Sequence, residues 1–210
     1  MDNWRELIRQ VRRDVTLRDE FLEVRAHAED GARMLLNRKA GAFTQNDLVT
    51  FLRFCNTEMI PRHNTRDFRK KETCTRFGPL FVGRDRQLLL QSLDVCNYWI
   101  DRLWRLHGDP TETLDKFWAC NQVAGAGTGL PTMVLYLKEP AVFSVWLPFL
   151  TSALSILTKK PFPSQRTAQN YLLYTTAVND ELRQALGLRP QEIDYILFRI
   201  GRAKDSRQKY

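Results

Sequence analysis

Three of the ten glycines, Gly125, Gly127 and Gly129, fall within five residues, and the almost wholly apolar run Leu130-Pro131-Thr132-Met133-Val134-Leu135-Tyr136-Leu137 follows at once. No other stretch restricts the folding options as much. Glycine adopts positive φ without a steric penalty and lets a neighbouring chain come close to the backbone. Proline suits the first turn of a helix, where its missing N–H costs nothing. The pattern predicts a tight glycine turn that opens a buried helix from Pro131 to about Lys138. The first amides of such a helix lack intrahelical partners and favour an anion. Gly125, Gly127 and Thr128 are therefore candidate phosphate contacts. The competing reading is a helix–helix turn that needs small residues for close packing. The Walker A pattern is missing, and Leu130 stands where a dinucleotide fingerprint has its third glycine.

The remaining chain reads as helix nearly throughout, because apolar residues recur at three and four and strand-like alternation is almost absent. Trp4, Leu7, Ile8, Val11 and Val15 outline a first amphipathic helix, and residues 18–38 a second that Gly31 interrupts or bends. Thr44 with Asp47 forms a variant capping box ahead of Leu48, Phe51, Leu52 and Cys55, and Pro61 is expected to end that helix. One long helix is predicted from Arg86 to Leu106. Asp109-Pro110-Thr111-Glu112 starts the helix that leads into the glycine turn. Later helices carry Val145 to Leu157, then Tyr171 to Leu186 closed by Gly187, then Ile193 to Ile200. The expected class is all-α, with eight or nine helices and little or no β. Residues 1–110 read as an N-terminal part, 111–201 as a second helical part and 202–210 as a linker, with one compact domain as the alternative division.

Charge narrows the partners. The chain carries a net +8, which favours nucleic acid as a partner, with an anionic surface as the alternative. Residues 62–86 hold eight basic and three acidic side chains, an excess of five. Within them Arg62, His63, Asn64, Arg66, Arg69, Lys70, Lys71 and Arg76 suit phosphate contact and groove reading, with Phe68 and Phe77 available for stacking. The alternative for this loop is a solvated surface excursion. Cys55, Cys74, Cys96 and Cys120 form no C-x-x-C pair, so reduced thiols in a cytoplasmic protein are expected, with no metal and no cofactor. His27, His63 and His107 fall in no catalytic pattern. No apolar stretch is long enough for a membrane span. Of the five tryptophans, Trp146 stands beside Pro148 in an apolar setting and is a candidate pocket wall; the others read as core.

The segment from Glu112 to Leu150 resembles the helix–hairpin–helix element of base-excision DNA glycosylases, through Val123-Ala124-Gly125-Ala126-Gly127 and then Leu130 to Leu137. The resemblance implies backbone amides that grip a DNA phosphate. Glycosylases of that superfamily place an aspartate beyond the second helix, whereas the aligned stretch here reads Phe143-Ser144-Val145-Trp146-Leu147. Residues 129–201 also look like a segment ahead of the motor domain in McrB-type restriction GTPases. That similarity implies a specificity domain that works with motor and nuclease subunits. The combined expectation is a non-catalytic module for double-stranded DNA, modified or not. A glycosylase-type enzyme is the alternative, with Asp180, Glu181 or Asp194 as its acid, and a protein–protein adaptor is a further one.

Overall fold

The computed structural model describes residues 6, 8, 9, 13, 19–56, 80–120 and 123–207. Among the described residues there are nine α-helices, one π-helical segment and no strand: α1 (Asp19–Lys39), α2 (Gln45–Cys55), α3 (Gly83–Gln91), α4 (Leu93–Trp104), α5 (Thr111–Cys120), α6 (Gly129–Lys138), α7 (Pro148–Thr158), α8 (Ala168–Val178), the π-helix Asn179–Gln184 and α9 (Pro190–Arg207). The all-α expectation holds.

The helix after the glycine turn is the centre of the molecule. Every residue from Gly129 to Leu137 is buried, as an apolar helix without a polar face requires. Helices α1 and α4 pack on α6, α2 packs on α1, α8 on α5, and α7 on α9. Each large apolar side chain buried in this way contributes about 1.5–3 kcal/mol. One cluster of buried side chains runs from Ile8 to Ile200, so the core is continuous across residue 110.

A buried ionic group ties the first helix, the central helix and the last. Arg25 donates from Nε to Glu29 (2.9 Å) and from Nη1 and Nη2 to the two carboxylate oxygens of Asp194 (2.5 and 2.9 Å). The Tyr136 hydroxyl, from α6, donates to Glu29 at 2.8 Å. Arg25, Glu29 and Asp194 are 1%, 2% and 4% exposed. Burial alone lowers the Arg25 pKa. The charges of Asp194, Tyr136 and Glu29 outweigh that effect, and the net direction is upward. Nearby, Arg33 donates to the Leu137 carbonyl at 2.8 Å, a cation placed at the C-terminal end of α6.

Local signals fall where they are expected in two places. Thr44 and Asp47 form the capping box of α2, and Asp109 accepts from the Thr111 amide at 2.9 Å. Elsewhere packing changes the reading. The long helix predicted from Arg86 to Leu106 is two helices that break at Ser92, where the Cys96 thiol donates to the Leu89 carbonyl at 3.4 Å. Gly31 does not interrupt α1. It is buried, and a Cβ there would come within 2.5 Å of the Phe54 ring, so the glycine permits close approach of α2. Helix α2 ends at Cys55, short of Pro61. Residues 202–207, read as linker, continue α9. The helix predicted to run from Tyr171 to Leu186 widens into the π-helix, whose Asn179 and Arg183 side chains donate to the carbonyls of Val142 and Ala141 (2.8 and 2.6 Å). The wider turn thus anchors the chain just ahead of the buried stretch 143–146.

Candidate nucleic-acid interface

The glycine turn has the backbone that its sequence requires. Gly125 and Gly127 both take positive φ, at 81° and 54°. The physical demand differs between the two. A Cβ at Gly125 would stand 2.5 Å from the Asp85 carbonyl oxygen, whereas one at Gly127 would have nothing nearer than 4.0 Å. Gly125 is therefore a point of close backbone approach to α3, and Gly127 is needed for its dihedral alone.

The turn is only partly open. Ala124 is exposed, Gly125 and Gly127 are half-buried, and Ala126 and Thr128 are buried. Thr128 is 3% exposed, and its carbonyl accepts from the Thr132 hydroxyl at 2.7 Å. The Thr128 assignment is therefore corrected: the residue presents almost no surface to a phosphate. The start of α6 is also covered by apolar groups, since a Cβ at Gly129 would meet Phe81 and Leu147 side-chain atoms at 3.6 Å. The amides of Leu130 and Thr132 bond to the carbonyls of Ala126 and Thr128. What reaches solvent at this turn is the short arc from Ala124 to Gly127.

Trp146 is corrected as well. It is 0% exposed and sits in the core. Its Nε1 donates to the Thr151 hydroxyl at 2.7 Å, and its amide donates to the Thr132 hydroxyl at 3.0 Å. Trp118, Tyr171 and Tyr174 surround its ring. Phe143 to Trp146, where the glycosylase resemblance would align an aspartate, form a buried extended stretch. The hydroxyls of Tyr171 and Tyr174 donate to its Ser144 and Val145 carbonyls, each at 3.2 Å. Burial raises the pKa of both phenols, so they remain donors.

The acids proposed for a glycosylase do not converge. Asp194 is held by Arg25 in the core. Asp180 is exposed, and Glu181 pairs with Lys160 at 3.2 Å on the surface. Burial raises the Cys96 thiol to about 12, which leaves it a poor nucleophile. Among the described residues, no three His, Cys, Asp or Glu side chains are grouped so as to hold a metal ion. No helix among them is long and apolar enough to cross a membrane.

Arg62, His63, Asn64, Arg66, Arg69, Lys70, Lys71 and Arg76 lie outside the described residues. The two ends of their segment are described, and one side chain holds them together. Asn56, which caps the C-terminus of α2, accepts from the Leu80 amide at 2.8 Å and donates to the Phe81 carbonyl at 3.2 Å. Arg86 donates to the same Phe81 carbonyl at 2.8 Å. The last described residue before the segment thus bonds to the first two described residues after it. The limb that follows, Leu80 to Asp85, is also what meets the glycine turn, through Phe81 at Gly129 and Asp85 at Gly125.

Asn56 and Arg53 had no part in the sequence-derived site, and Arg84 entered it only as one of the eight basic residues of 62–86. Arg53 and Arg84 are exposed and flank this junction. Nothing in the sequence paired Asn56 with Leu80 and Phe81. Comparison with known proteins returned no match to a protein family, a curated protein or a solved structure.

Proposed function

We propose that this chain is a non-catalytic module that binds double-stranded DNA through the basic segment 62–76, with the folded helical body as its anchor. The observation that carries the reading is the junction at Asn56. There the two described ends of the most cationic stretch are joined, and the limb that follows it, Leu80 to Asp85, meets the glycine turn. In this reading the glycine turn first docks α3. Its half-buried glycines, Gly125 and Gly127, lie at the edge of the contact. Phosphate neutralisation by Lys and Arg supplies the affinity, and His63 and Asn64 supply any reading of base edges. The McrB-like pattern in residues 129–201 supplies the context: recognition of modified DNA for a restriction system whose motor and nuclease lie in other domains or subunits.

The test is fluorescence anisotropy with a short labelled duplex at several salt concentrations. The expected result is an affinity that falls steeply with salt, as release of condensed counterions demands. Lys70→Glu with Lys71→Glu should weaken it by at least about tenfold and flatten the salt dependence. Binding that ignores salt, or is untouched by the double substitution, refutes the proposal. An otherwise identical duplex with methylated or hydroxymethylated cytosine tests the finer claim.

A further inference from the structure

A recess of about 500 Å³ lies between the α1–α2 connection and α4, lined by Gly41, Asp94, Asn97, Tyr98, Asp101 and Arg102. Its floor is fixed. Asn97 accepts from the Phe43 amide and donates to the Phe43 carbonyl, both at 2.9 Å. Gly41 takes a φ of 83° and rests on Asp101, where a Cβ would come within 2.9 Å of the side chain. Asp101 accepts from Arg105 at 2.6 Å, so its charge is matched.

Three groups in the recess are left to meet a ligand. Asp94 and Arg102 are exposed, and Tyr98 is 55% exposed with its ring held edge-on to Trp99 at 5.1 Å. The Asp94 carboxylate, the Tyr98 hydroxyl and the Arg102 guanidinium make no hydrogen bond to a described residue. Glu112, whose field Arg102 shares, is itself bonded to Lys116. The three stand four positions apart along one ridge of α4, about 12 Å from first to last by helix rise. The row reads acceptor, aromatic plate, cation. A cationic peptide fits it poorly, because Arg102 is in the recess and Asp101 already has its cation. A base joined to a phosphate matches all three groups, and the span equals the reach from the pairing edge of a base to its own 5′-phosphate.

We propose that this recess binds a guanine 5′-mononucleotide, free or at the end of a strand, with the base on Tyr98, its pairing edge on Asp94 and the phosphate on Arg102. Stacking on Tyr98 accepts any base. Asp94 supplies the selection: guanine offers two adjacent N–H donors to the two carboxylate oxygens, whereas adenine sets an acceptor beside its donor. Arg102 takes the phosphate through its planar fork. The site is independent of segment 62–76 and of duplex binding.

Isothermal titration of the whole chain with 5′-GMP, 5′-AMP and guanosine tests it, with melting temperature recorded for each variant. GMP is expected to bind at least about fivefold more tightly than AMP or guanosine. Asp94→Asn should erase the preference for GMP over AMP, and Arg102→Gln should bring GMP down to the level of guanosine. Both side chains are exposed, so the melting temperature should hold. Tyr98→Phe should retain binding, and Tyr98→Leu should weaken it about tenfold. A 5′-phosphorylated trinucleotide that begins with guanine separates the two sources: tighter binding than GMP marks a strand end, and weaker binding marks the free nucleotide. No binding of GMP at millimolar concentration overturns the proposal, as does GMP affinity unchanged by Asp94→Asn and Arg102→Gln, or an arginine-containing peptide that binds the recess where GMP does not.

Discussion

Substitution of Arg25 by methionine should be among the most destabilising single changes in this protein. Arg25 is 1% exposed and makes a bidentate pair with Asp194 and a third charged bond to Glu29. Methionine retains most of the side-chain length and removes the cation. Asp194 then stays in the core without the group that neutralises it, and Glu29 is left with Arg33 at 3.5 Å as its cation. Glu29 keeps the Tyr136 hydroxyl, and Gln191 at 3.2 Å. Asp194 loses both of its bonds to the guanidinium. Removal of one partner from a buried ion pair typically costs about 3–5 kcal/mol. For a chain of this length that corresponds to a fall in melting temperature of roughly 6–20 °C. The companion variant, Arg25→Met with Asp194→Leu, removes cation and anion together. It should be much less costly than the sum of the two single changes, with a coupling of about 2 kcal/mol or more in a double-mutant cycle. The arginine pKa is raised in the fold, so its contribution is fully present below the unfolded value and is lost only as pH rises through the higher folded value. The cost of Arg25→Met should therefore stay level between about pH 6 and 9. Urea unfolding monitored by tryptophan fluorescence measures all three quantities. A single-variant cost below about 1 kcal/mol would show that the three helices are not joined by a dry ionic group.

Two further outcomes follow from individual distances. Gly125→Ala should destabilise by more than about 2 kcal/mol, because it adds a collision with the Asp85 carbonyl to the cost of a left-handed backbone; Gly127→Ala bears only the latter, about 1 kcal/mol. Equal costs in urea titration would mean that α3 does not rest on the turn. The Asp47 carboxyl is held at about 2 by the hydrogen bonds from Lys39 and Thr44. A depressed carboxyl pKa contributes stability above the unfolded value that is lost as pH falls toward 2, so Thr44→Ala should destabilise near neutrality and progressively less between about pH 4 and 2. Thermal melts across that range measure the difference, and a cost that grows on acidification would contradict the assignment.

The helices of this protein were legible in its sequence because their signals are local. Apolar spacing marked the faces of α2, α4 and α9, Thr44 and Asp109 marked two starts, and the glycine cluster announced both the turn and the buried helix behind it. Net charge and its concentration in residues 62–86 were equally plain, since charge needs no geometry to be counted. The site was less legible. Periodicity tells which face of a helix is buried but not what covers it. Trp146 next to a proline reads the same whether it lines a cleft or sits under Trp118, Tyr171 and Tyr174. Thr128 reads the same whether its backbone meets a phosphate or its carbonyl holds Thr132.

The amino-acid order alone determined an all-helical class, a cationic stretch at residues 62–86 and a glycine turn ahead of a buried central helix. Tertiary structure decided which residues stand together: Asn56 with Leu80, 24 positions away, Gly125 with Asp85, and Arg25 with Asp194, 169 positions away. A helix forms from contacts three or four residues apart, which a sequence displays directly. A backbone approach or a buried ion pair depends on how finished helices stack, and residues distant in the chain meet only then.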